Sequence, residues 1–252
     1  MLKDFQIENG VLIKYNGTEK EVVVPDSVTY IGSKSFAGCY SLTSITVDEE
    51  NEVYTSIDGC LYSKDGKTLI KYASGKEERI FIVPNKVKHI NNYAFEGADH
   101  LTSISIADNV ISIGEEAFSS CRSLINIRTS RDNQTYKSID GILYSKGGKQ
   151  LIAYPQGRVE ASFMTPESVT SINDYAFDWA WGLRAIFIGK NISFISEKCI
   201  GNCGNLMDIM VLSDNPNYKS VEGVLYSKDG KKLIRYPQGK TRNSFINFFC
   251  FY

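Results

Sequence analysis

Histidine is nearly absent, with His89 and His100 the only two in 252 residues. Metal clusters and His-based triads draw on several nitrogen ligands or on a placed base, so neither is expected, and both histidines read as surface residues. Six cysteines are too few for a small disulfide scaffold in a chain of this length. No run of about 18 apolar residues occurs, which excludes a membrane-spanning helix. The opening MLKDFQIENG has no apolar export segment. Net charge is also missing, with 28 basic against 29 acidic residues, so nonspecific attraction to nucleic acid is not expected.

What the chain does contain is repetition. SIDGCLYSKDGKTLIKYASG (56–75) returns as SIDGILYSKGGKQLIAYPQG (138–157) and SVEGVLYSKDGKKLIRYPQG (220–239), so that Tyr62, Tyr144 and Tyr226 stand 82 residues apart. Gly66-Lys67-Thr68 imitates the end of a phosphate-binding loop, but the glycine that loop needs five residues earlier is Leu61. A gapless period of this length marks a repeat array.

A shorter unit lies between these copies. VPDSVTYIGSKSFAGCYSLTSITV (24–47) reappears from Val83, Ala107, Pro166 and Gly189, and its anchors Phe36, Phe95, Phe118, Phe177 and Ile200 are spaced by 59, 23, 59 and 23 residues. Val28 and Ile31 open the unit, Phe36 fills its middle, and Leu42, Ile45 and Val47 close it with a short strand whose alternate residues point inward. The site after the isoleucine holds Gly32, Asn91, Gly114, Asn173 and Ser196, types that tolerate left-handed backbone and predict a turn there. Stacked rungs bury a continuous apolar column that one 23-residue unit cannot bury alone.

The string V-x-x-I-G-x-x-A-F-x-x-C-x-x-L-x-x-I-x-I, fullest at Val110 to Thr129, resembles the BspA-like class of leucine-rich repeats, and the resemblance runs from about Val22 to Gly239. It implies a right-handed leucine-rich-repeat solenoid, mainly β with short helical turns. It also implies a cell-surface or secreted, non-catalytic module that binds a protein or glycan in adhesion. A structural or self-assembly module is the alternative. The expected layout is one domain over 1–252. A capping hairpin occupies 1–21, with Asn16-Gly17 as its turn. Five rungs lie near 22–47, 80–106, 107–129, 161–188 and 189–211. Three hairpin inserts lie near 48–79, 130–160 and 212–243, and 244–252 forms a truncated or irregular end. That apolar end, with Phe245, Phe248, Phe249 and Phe251, is a candidate for self-association.

In the inserts Asp65-Gly66, Gly147-Gly148 and Asp229-Gly230 have the composition of two-residue type I′ turns, which would set Tyr62 opposite Leu69 and Lys64 opposite Lys67. Lys64, Lys67, Lys146, Lys149, Lys228 and Lys231 would then form basic tips, either a ladder for an acidic ligand or solvated ends that keep a sheet edge from pairing. The run Asp48-Glu49-Glu50-Asn51-Glu52 lacks a calcium-loop pattern and reads as a solvated turn. Cys39, Cys121 and Cys203 share one rung position and read as buried thiols; no cofactor or metal is expected.

Outward positions of the rung strands form two columns, Ser44, Ser103, Asn126, Ala185, Asp208 and Thr46, Ser105, Arg128, Phe187, Met210. With the loop Trp179-Ala180-Trp181, these nominate Arg128, Trp179, Trp181, Arg184, Phe187 and Met210 as a binding face, because aromatic, Met and Arg side chains are enriched at interface hot spots.

Overall fold

The computed structural model describes residues 4–240. By contacts it falls into two compact units, Met1–Arg158 and Val159–Tyr252. The apolar end at 244–252 lies outside the described residues.

In the first unit each turn of chain gives one short strand to each of two parallel ladders. On one side Val11–Tyr15 pairs with Tyr30–Ile31, and in a separate sheet Thr68–Lys71, His89–Ile90 and Ser112–Ile113 pair in succession. On the other, Glu21–Val24 pairs with Ser44–Val47, and in a separate sheet Ile80–Ile82, Ser103–Ile106 and Asn126–Thr129 follow one another. The second unit repeats the scheme, with Ser171–Ile172 beside Phe194–Ile195, and Ser162–Met164, Ala185–Ile188 and Asp208–Val211 in register. The inward positions named from the sequence are the core. Val110, Phe118, Leu124 and Ile127 are buried, as are their equivalents Val169, Phe177, Leu183 and Ile186. Phe95 stacks on Phe118 with ring centroids 5.7 Å apart. Burial of each such side chain contributes roughly 1.5–3 kcal/mol, repeated turn after turn.

The solenoid has about nine turns rather than five. The insert is more than a hairpin, because its last strand, Thr68–Lys71, and the following Ile80–Ile82 take their places in the two ladders. The first insert thus adds a full turn that lacks the phenylalanine signature.

The described residues contain no helix where short helical turns were expected. Phe36, Phe95, Phe118, Phe177 and Ile200 sit in chains of i to i+3 turns, such as Ala37 N–H to Lys34 and Cys39 N–H to Phe36. Two residues beyond each anchor the backbone turns left-handed, at Gly38, Gly97, Ser120, Trp179 and Asn202, and a left-handed residue stops helix propagation. Gly32, Asn91, Gly114, Asn173 and Ser196 are not left-handed. Their role is to bond to the preceding turn, as Gly32 N–H does to Leu12 and Gly114 N–H to Ile90.

The hairpin turns also lie elsewhere. Paired positive φ angles, the mark of type I′, occur at Asn9-Gly10, Asp58-Gly59, Asp140-Gly141 and Glu222-Gly223. The N-terminal hairpin therefore pairs Phe5–Glu8 with Val11–Tyr15, and Asn16-Gly17 is not its turn. In the first insert Tyr54–Ile57 pairs with Cys60–Ser63, which pairs antiparallel with Thr68–Lys71, and Tyr62 does face Leu69. The Asp65-Gly66 connection is a Ser63-to-Gly66 turn with only Gly66 left-handed. Asp65 Oδ1 accepts from the Ser63 hydroxyl at 2.7 Å and the Lys67 N–H at 3.0 Å, which fixes this wider loop.

Candidate functional site

Three asparagines at the 82-residue period hold each insert to the turn before it. Asn51, Asn133 and Asn215 have no solvent exposure. Asn133 Nδ2 donates to Ala107 O at 2.7 Å and Val110 O at 3.0 Å, while its Oδ1 accepts the N–H groups of Thr135 and Tyr136. Asn51 and Asn215 do the same. The acidic run is therefore anchored by a buried residue rather than solvated throughout. A tyrosine three residues on completes the join. Tyr54 Oη accepts the Ile31 N–H at 3.0 Å and Tyr218 Oη the Ile195 N–H at 3.2 Å, each serving a strand donor on the side where the insert interrupts the ladder.

The hairpin tips abut the first outward column. Gly59 O accepts from Ile45 N–H, Gly141 O from Ile127 N–H and Gly223 O from Ile209 N–H. A Cβ added at Gly141 would lie 2.3 Å from Asn126 Oδ1, and one at Gly59 3.1 Å from Ser44 Oγ. Ser44, Asn126 and Asp208 are thereby crowded, and Lys240 Nζ bonds to Asp208 Oδ1 at 3.2 Å. The second column stays open.

That open column changes character between the units. In the first unit it reads Ile82, Ser105, Arg128 across three paired strands; in the second it reads Met164, Phe187, Met210 in the same register. Met164 is 56% exposed, Met210 40%, and Phe187 is half-buried. Arg128 and Arg184 are exposed. Trp179 and Trp181 pair with ring centroids 5.7 Å apart. No ring contact joins that pair to Phe187 among the described residues. The predicted face thus resolves into an apolar strand column and an indole pair within the second unit, with Arg128 in the first. Met164 lies in the expected rung at 161–188 but was not among the outward residues named, because the columns took only one strand from each rung; the pairing of Ser162–Met164 with Ala185–Ile188 sets it beside Phe187.

The lysine tips are less uniform than their sequence. Lys64 Nζ donates to Asn51 O at 2.5 Å, Lys146 Nζ to Arg131 O at 3.0 Å, and Lys228 Nζ to Asn215 O at 2.6 Å. Lys67 instead pairs with Asp65 at 3.3 Å. Lys149 and Lys231 are exposed.

Thiols of the repeated cysteines point to carbonyls of the preceding turn, Cys121 Sγ to Phe95 O at 3.0 Å and Cys203 Sγ to Phe177 O at 2.9 Å. Cys121 and Cys203 are buried, whereas Cys39 is half-exposed. Burial pushes Cys60 up to about 11 and Cys121, Cys199 and Cys203 up to about 12, away from the thiolate form. Inside the first unit Lys71 is buried with Glu96, its Nζ 3.5 Å from Oε2 and bonded to the carbonyls of Tyr93 and Glu96. Among the described residues no group of three or more His, Cys, Asp or Glu side chains is placed to hold a metal ion, and no helix is long and apolar enough to cross a membrane.

A family model described as BspA type leucine rich repeat region matches residues 13–64, 72–146 and 160–229, in six copies. No curated protein matches the chain. Among solved structures, the pneumococcal vaccine antigen PcpA is similar at 22% identity and a TM-score of 0.52, over 88% of this chain and 49% of that one. A leucine-rich repeat protein from Eubacterium ventriosum is similar at 22% identity and a TM-score of 0.49, over 80% of this chain and 45% of that one. A leucine rich cell surface protein from Faecalibacterium prausnitzii is similar at 23% identity and a TM-score of 0.47, over 79% and 71%. The chain spans about half the length of the first two. The likeness to PcpA is one of fold.

Proposed function

Because the chain belongs to the BspA-type leucine-rich repeat family, we propose that it is a non-catalytic binding module that acts in adhesion at a cell surface. The observation that carries this reading is the outward column Met164, Phe187, Met210, apolar throughout in the second unit where the first has Ile82, Ser105 and Arg128. Backbone held in rigid parallel strands loses little entropy on binding, and Met and Phe are among the side chains enriched at interfaces. Thiols driven up to about 11 or 12 by burial are poor nucleophiles, which supports a role without covalent catalysis. The family resemblance supports surface display. The ligand of this column is a macromolecule, protein or glycoprotein.

The test measures binding of the immobilised chain to purified collagen, laminin and mucin by surface plasmon resonance. F187S and M210R import the side chains found at the same register in the first unit. They should weaken saturable binding at least tenfold while leaving the melting temperature unchanged. Absence of saturable binding to all three, or binding unaltered by both changes, overturns the reading. Self-assembly through the same apolar column would instead appear as concentration-dependent sedimentation that M210R abolishes.

A further inference from the structure

Two residues beyond each anchor the backbone is left-handed, and the residues there are Gly38, Gly97, Ser120, Trp179 and Asn202, with φ of 83, 75, 55, 59 and 49 degrees. Four of the five are glycine or short polar residues. Trp179 is a bulky side chain where the backbone tolerates one least. The core does not ask for it. Phe177 and Ala180 are fully buried beside it and fill the inward positions, while Trp179 itself is half-buried. Tyr93 and Tyr175, two residues before their anchors, bear like strain, so what singles out Trp179 is a bulky side chain at a position the other rungs give to glycine or a short polar residue, which points to a role outside the core.

Trp181 shows the same pattern by a different route. It is 44% exposed, and its ring lies over Gly204, where an added Cβ would be 3.4 Å from Cζ3. The two indoles meet at 5.7 Å with their planes 37° apart. Amide side chains from the next turn edge the pair. Asn205 Nδ2 donates to Trp181 O at 2.8 Å, and Asn202 Nδ2 to Asp178 Oδ1 at 3.1 Å, and both asparagines are exposed.

We infer that Trp179 and Trp181 form a stacking platform for a neutral pyranose ring of a glycan. A pyranose has an apolar C–H face that packs on the electron-rich indole face and a rim of hydroxyls that suits amide partners. The surround disfavours a cationic ligand. The Asp178 carboxylate is buried, and the exposed charge nearest in sequence is the cation Arg184, which opposes a cationic guest. The platform rests on the reading of the chain as a binding module and adds a glycan to its ligands.

The chain has two tryptophans in all, so its indole fluorescence reports this site alone. The whole chain is titrated with neutral hexasaccharides of β-1,4-glucose, α-1,4-glucose and β-1,4-N-acetylglucosamine, with a heparin fragment as the charged control. At least one neutral hexasaccharide should give a saturable change, weakened at least tenfold in W181A and W179N. W179N places at 179 the residue that stands at 202, so its melting temperature should equal or exceed that of the parent. The inference is overturned if no neutral hexasaccharide perturbs the fluorescence, if binding survives both changes, or if W179N lowers the melting temperature and so reveals a packing role. The column test with collagen, laminin and mucin uses F187S and M210R with both indoles intact, so either idea can fail without the other.

Discussion

Asn133 donates through Nδ2 to the carbonyl of Val110 at 3.0 Å from a side chain with no solvent exposure. The bond spans 23 residues, one rung of the repeat, and the same amide satisfies three further backbone groups. A parallel ladder interrupted by an insert leaves strand-end carbonyls and N–H groups without neighbours, and a buried orphan of this kind costs about 1–3 kcal/mol. One amide placed at the junction removes four of them.

Asn133→Ala is therefore expected to destabilise the first unit by about 3 kcal/mol, since it strands two carbonyls and two N–H groups in a site closed to water. Urea denaturation followed by far-UV circular dichroism measures this. A loss below about 0.5 kcal/mol would show that water enters the junction and that the amide is not the joint.

Lys71 and Glu96 form an ion pair with side chains only 6% and 12% exposed. Burial lowers the Lys71 pKa, with Glu96 opposing the shift. The folded state thus holds this proton less tightly than the unfolded chain, and stability should rise as pH climbs through the folded pKa. Glu96→Ala leaves a buried ammonium without its carboxylate and should cost about 3 kcal/mol, while the double change Lys71→Met with Glu96→Met should recover most of that loss. Equal losses in the single and double variants would contradict the account.

Asp65 accepts from the Lys67 backbone N–H and the Ser63 hydroxyl, which lower its pKa from 3.8 to about 2. A depressed carboxylate adds stability above the unfolded value and loses it as pH falls through the folded one, so the insert loop should keep its structure to about pH 2. A carboxyl titration by NMR should place the Asp65 midpoint near 2, and Ser63→Ala should raise it. A midpoint at 3.8 would mean the loop does not hold its bonds in solution.

Periodicity made the repeat class legible. Val, Ile, Phe and Leu recurring at fixed offsets can be buried only by stacking, so the inward column and its parallel strands followed from residue spacing alone. The thiol ladder and the outward pair Phe187 and Met210 followed from the same register. Each insert offers two candidate turns, however. Asp58-Gly59 and Asp65-Gly66 have identical composition, and what separates them is the Ser63 hydroxyl, which ties Asp65 into a wider loop, and the fit of Gly59 against Ser44. The turns outnumber the five signature rungs because the turn made by Thr68–Lys71 and Ile80–Ile82 lacks the phenylalanine signature and is marked only by its ladder partners. Asn51, Asn133 and Asn215 recur every 82 residues, but nothing local marks them as joints, because their partners lie 23 to 26 residues earlier in the chain.

The sequence by itself determined the architecture, because a hydrophobic period is a local pattern with one way of being buried. Only the tertiary structure decided where the chain turns, which polar side chains close the junctions, and that Trp179 stands on left-handed backbone. Those features depend on hydrogen bonds and contacts between residues distant in sequence, which composition does not record.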